Sequence, residues 1–150
     1  MAYDVLGVCR LIVNYSNDRG YNISNLKLQK LLYLIQAYFL VKLGKKCFDA
    51  RIEAWAFGPV VPDAYQVFKQ YGGCNIPTIN DDRIGAIIEE CDFKKEDKKI
   101  ITDIVDTFSD YSASALVTLT HGQDPWRNAY QEGMNNPISE KAIKEYFNGR

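Results

Sequence analysis

Apolar residues fall at three- and four-residue spacings over most of the chain and alternate with polar or aromatic ones only once. Val5, Leu6, Val8, Cys9, Ile12 and Val13 make one face of a helix predicted over about residues 3 to 17, stopped by Asn17-Asp18-Arg19-Gly20. Ser24 is placed to cap a second helix, whose body LKLQKLLYLIQAYFLVKL is apolar on two faces, through Leu28, Leu32, Ile35 and Phe39 and through Leu31, Leu34, Tyr38 and Val41. Two apolar faces predict a central helix. Gly44 ends it, with Lys42, Lys45 and Lys46 near the negative end of its dipole.

The period changes at residues 52–57, where Ile52, Ala54 and Ala56 alternate with Glu53, Trp55 and Phe57 before Gly58-Pro59, predicting a short extended segment closed by a turn. A helix follows from about Pro62 to Tyr71, with proline in its first turn and Gly72-Gly73 as its stop. Residues 75–83 read as a loop, and Ile84 to Cys91 fits a short helix or a strand equally well. Ile100, Ile101, Ile104, Val105 and Phe108 predict a helix within 94–111 whose charged face is solvated. Ser112 is placed to cap a helix over 113–119, Asp124 to cap one that begins with Pro125, and Pro137 and Ser139 sit near the start of a last helix over 138–147. The fold class that follows is mainly α: a compact single domain over residues 1–150, without repeats, with one short extended segment.

Composition supports this and narrows the chemistry. With 47% hydrophobic and 13% aromatic residues, 150 residues suffice for one core. Eighteen basic against nineteen acidic side chains leave a net charge of −1, so no global field draws the protein onto nucleic acid or anionic lipid. Cys9, Cys47, Cys74 and Cys91 are too far apart for a Cys-x-x-Cys pair, so reduced, packed thiols are expected and no metal or cofactor is assigned. The longest apolar segment, Leu31 to Val41, is interrupted by Gln36 and is well short of the roughly 20 residues that span a bilayer. With no secretory signal in MAYDVLGVCR, a cytoplasmic protein is expected.

Few side chains offer chemistry. The lone histidine, His121, lies in THGQDPWRNAY beside Asp124 and suggests a general base, but no nucleophile accompanies it. A structural or partner-contact role is the better reading, with Trp126 and Tyr130 packing one turn apart. Lys27 and Lys30 sit about one turn apart before Tyr33; they either present two positive charges to an acidic partner or are simply solvated. Lys30, among Leu31, Leu32 and Leu34, lays its stem along the core edge with its head reaching an acceptor such as Glu53 or Asp124. Trp55 reads as core in preference to an interface anchor. No phosphate-cradling glycine motif is present in that stretch.

Three blocks, LKLQKLLYLIQAYFL at 26–40, IEAWAFGPVVPDAYQVFKQYG at 52–72 and LVTLTHGQDPWRNAY at 116–130, together resemble the Panacea antitoxin domain, also called SocA-like and met among phage-associated proteins. The resemblance spans about residues 5 to 130. It places the family's hallmarks on Lys27, Lys30 and Tyr33, with Leu28, Leu31 and Leu32 between them; on Trp55, Gly58, Pro59 and Val60; and on His121, Pro125 and Trp126. It implies the protective half of a toxin–antitoxin pair, built on a scaffold that serves many unrelated toxins. The implied partner is a cognate protein toxin, with a protease as a second partner where the antitoxin works by delivery, and no catalytic residue is implied. Two other readings stand beside it: an enzyme or effector using His121, Asp124 and Lys30 as one polar cluster, and a phage accessory protein using the scaffold for a different partner.

Overall fold

The second helix is the axis of the fold. In the computed structural model, which describes residues 2–80 and 88–149, α1 spans Val5–Asp18 and α2 spans Asn25–Tyr38. The Ser24 hydroxyl accepts from the Lys27 amide at 3.2 Å, as its place before the apolar run predicts. Eleven of the fourteen residues of α2 are buried, among them Gln29, Lys30 and Gln36. The helix passes into a π-helical turn, Phe39–Leu43, and stops at Gly44, whose φ of 66° suits glycine.

Around α2 pack α1, α3 (Pro62–Phe68), α4 (Lys95–Thr107), α5 (Ala113–His121) and α7 (Glu140–Phe147), while α6 (Asp124–Ala129) joins α5 to the C-terminal part. The fold is mainly α. Among the described residues one small sheet has the order β2-β1-β3, both pairs antiparallel: β1 is Ile52–Trp55, β2 is Gly58–Val60 and β3 is Asn136–Ile138. Trp55 stands opposite Gly58 and Ile52 opposite Ile138.

Four local expectations change. Gly58 and Pro59 are not the turn but the start of β2, and Ala56-Phe57 make the turn. Pro59 is tolerated because β2 is an edge strand, where a missing N–H breaks no ladder. The last helix begins at Glu140, not 138, because residues 136–138 pair with β1; Ser139 then caps it, accepting from Ala142 at 3.0 Å. Asp124 is the first residue of α6, and Gln123 holds the capping position without a side-chain bond to the helix amides. The loop reading holds for residues 75–80, but 81–83 lie outside the described residues, as do 84–87; residues 88–91 form neither helix nor strand.

Nor is the charged face of α4 simply solvated. Asp97 is buried and accepts from the Tyr3 hydroxyl at 2.6 Å and the Lys45 ammonium at 3.2 Å. Burial alone would raise its carboxyl, but those two donors hold it below the usual range. Asp106 likewise accepts from Tyr15 and Tyr21, each at 2.7 Å. Cys9 and Cys47 are buried, Cys74 is exposed and Cys91 partly so, all as free thiols. No helix of the described residues is long and apolar enough to cross a membrane.

Candidate functional site

A helix that is apolar on two faces leaves its polar residues no route to solvent, so each must find a partner inside. For Gln29, Lys30 and Gln36 on α2 those partners are backbone groups of the β1–β2 hairpin, of Val61 just after it and of the loop before it. The Lys30 ammonium donates to the Pro59 carbonyl at 2.9 Å, and Gln29 Oε1 accepts from the Val61 amide at 2.9 Å. Gln36 donates to the Phe48 carbonyl at 2.8 Å and accepts from the amides of Cys47 and Phe48. The Tyr33 hydroxyl donates to Gln123 Oε1 at 2.9 Å, fastening α2 to the junction of α5 and α6.

The opposite side of the hairpin is held from that junction. Trp126 Nε1 donates to the Trp55 carbonyl at 2.7 Å, and His121 Nε2 lies 2.9 Å from the Ala56 carbonyl. A carbonyl oxygen only accepts, so Nε2 carries the proton and is not a free base. The His121 ring stacks on Trp126 at 4.0 Å between centroids, and Trp126 stacks on Tyr130 at 4.7 Å. Trp55 is half-buried, edge-on to Tyr65, with its indole donating to Glu53 at 2.9 Å. Phe57, at the turn, is 50% exposed.

Gly58 is where the two sides meet. Its φ is 103°, and a Cβ there would lie 2.7 Å from Lys30 Cε and 2.9 Å from Thr120 Oγ1. Only glycine lets the strand approach both the lysine stem and α5 so closely. Pro125, buried in the first turn of α6, sets the angle at which Trp126 returns to the hairpin.

Lys30 is fully buried, and its ammonium is bonded to a carbonyl, not to Glu53 or Asp124. Burial brings its pKa down to about 7. Lys27 is also buried, and its ammonium donates to the Ser109 carbonyl at 3.2 Å; burial lowers its pKa, against the charge of Asp110. The two lysines therefore do not present a pair of positive charges at the surface. Glu53 is engaged by Arg51 at 2.8 Å and by Trp55. Asp124 faces Arg127 at 3.8 Å and lines a cavity with Pro125, Asn128 and residues of α7.

Apart from Lys27, the hallmark residues are thus gathered, but around the backbone of one hairpin and its anchor at the α5–α6 junction. His121, Asp124 and Lys30 do not form a polar cluster: two are bound to different carbonyls and the third faces outward. Gln29, Gln36, Thr120 and Gln123, equally part of the clamp, were not singled out from the sequence. Their signal was their place on or beside a helix with no solvated face. Trp126 is half-buried, so Trp126→Ala should cost about 2–4 kcal/mol, less than the loss of a fully buried ring. An unchanged urea midpoint would show that the clamp does not depend on the stack.

The family described as "Antitoxin SocA-like, Panacea domain" matches residues 28–127, which takes in the hairpin and the side chains that clamp it from Gln29 to Trp126. Antitoxin SocA of Caulobacter vibrioides (strain NA1000 / CB15N) is 32% identical over 154 aligned positions, covering 96% of this chain and 82% of that protein. No solved structure gives a significant match. By the extent of both likenesses, this chain belongs to the SocA-like antitoxin family that carries the Panacea domain.

Proposed function

We propose that the protein is a cytoplasmic antitoxin that neutralises a cognate protein toxin by binding it directly, without chemistry of its own. Beside family membership, one observation supports this reading. The polar atoms of Lys30, His121 and Trp126 are turned onto the backbone of the β1–β2 hairpin and not onto a shared cavity. Such a motif builds a frame, and recognition then falls to the variable surface that the frame carries. A stable protein interface buries about 800 Å² on each partner, roughly a tenth of the 8024 Å² available here.

Colony survival tests the proposal, with the adjacent gene expressed alone and then together with this protein. Toxicity alone and rescue on co-expression are expected. An innocuous neighbour, or a toxic one that is not rescued, would count against the antitoxin role. A host lacking its ATP-dependent proteases separates two routes, since rescue by blocking the toxin persists there and rescue by delivery to a protease fails.

A further inference from the structure

Where α2 passes into its π-helical turn, the surface opens into an apolar groove of about 190 Å³. Tyr38 and Val41 line it from this segment, Ile104 and Phe108 from α4 and Phe147 from α7. Lys42 is the one charged residue in the lining, and among the described residues it makes no hydrogen bond or ion pair. Its neighbours differ, for Lys45 is paired with Asp97 and Lys46 with Asp49 and Glu140. Tyr38 and Leu43, which bracket the turn, are 41% and 40% exposed.

These features point the same way. A π-helical turn re-aims the side chains around it, and such turns occur frequently at functional sites. A cavity of about 150 Å³ with apolar walls accepts a benzene ring, so this groove has room for a phenyl or branched aliphatic group. Apolar side chains left in water around a concave surface are interface material. An unpaired ammonium in that lining adds a charge preference, which selects partners more than it adds affinity.

We propose that this groove docks the toxin, taking a bulky apolar side chain from a segment that carries a carboxylate beside that anchor. That the occupant is a toxin rests on the antitoxin reading above. The hairpin clamp holds the frame together, and the groove on α2, α4 and α7 reads the partner.

The test uses the full chain and the product of the adjacent gene, comparing wild type with Lys42→Glu, Lys42→Gln and Tyr38→Ala. Lys42 and Tyr38 are both exposed, so the variants should melt as wild type does, and a thermal scan checks this. Rescue by wild type and its loss in Lys42→Glu and Tyr38→Ala are expected, with affinity for the purified toxin lowered about tenfold or more. Lys42→Gln should fall between. Rescue and affinity equal to wild type in all three variants would overturn the groove and leave the antitoxin reading standing. A toxic neighbour that wild type itself does not rescue would overturn the antitoxin reading, and with it the toxin as occupant.

Discussion

Gly58→Ala should lower the stability of the protein by about 3–5 kcal/mol and its melting temperature by about 10 °C or more. Two costs combine. At a φ of 103° an L-residue is strained, and the new methyl meets Lys30 Cε at 2.7 Å and Thr120 Oγ1 at 2.9 Å. Neither neighbour yields easily: the lysine is anchored to the Pro59 carbonyl, and the threonine hydroxyl donates to the Leu116 carbonyl at 2.8 Å. Gly20→Ala is the control, because its φ is 77° but nothing lies within 4 Å of its Cβ position. It should show the conformational cost alone, about 1–2 kcal/mol. Equal losses from the two substitutions would mean that the close approach at Gly58 carries no energy of its own.

The second large effect concerns Lys30 and shows itself through pH. Its folded pKa, about 7, lies below the ordinary lysine value because burial penalises the charged amine. Below the folded value both states are protonated and the penalty is fully present. Between the two values the unfolded chain holds the extra proton, so this residue's contribution to stability rises with pH. Cys9 and Cys47 act in the opposite sense above about pH 8.5, because burial raises both thiols.

Lys30→Met leaves the cysteines in place, so the difference between variant and wild type isolates the lysine. Methionine removes the buried charge but leaves the Pro59 carbonyl without its donor, a cost of about 1–3 kcal/mol. The variant should be the more stable protein at about pH 6, and its advantage should shrink by about 1.5 kcal/mol by about pH 8. Urea titrations at the two pH values measure this. A difference that does not change with pH would mean that Lys30 is not buried as a titrating amine.

Much of this architecture was legible where periodicity and capping agree. Ser24, Ser112 and Ser139 each accept from the amide three residues on. The buried stripe of α1 and the first apolar face of α2, through Leu28, Leu32, Ile35 and Phe39, fall where the apolar spacing puts them. On the second face Leu31 is buried, but Leu34 and Val41 are only partly covered and Tyr38 is exposed. What stayed hidden depended on distant parts of the chain. Asn136–Ile138 contains a proline and is only three residues long, so nothing local marks it as a strand; it exists because β1 offers an edge. Gly58-Pro59 looks like punctuation, and only the packing of Lys30 and Thr120 beneath the strand explains the glycine. The hallmark set was visible as a group, but its purpose was not, because spacing cannot reveal that Lys30, His121 and Trp126 converge on the backbone carbonyls of one hairpin.

The clamp also bears on the order in which the chain becomes a protein. Its fastenings join residues far apart in sequence: Trp126 to Trp55, His121 to Ala56 and Tyr33 to Gln123 are separated by 71, 65 and 90 positions. Helices form from neighbours, but contacts of this span close late. During synthesis the hairpin therefore emerges long before the groups that secure its tip, and β1 acquires its second neighbour only when residues 136–138 have left the ribosome. A chain cut short before residue 121 has neither His121 nor Trp126 to latch the hairpin nor β3 to cover β1, and its bare strand edge should be open to proteolysis and to pairing with other chains.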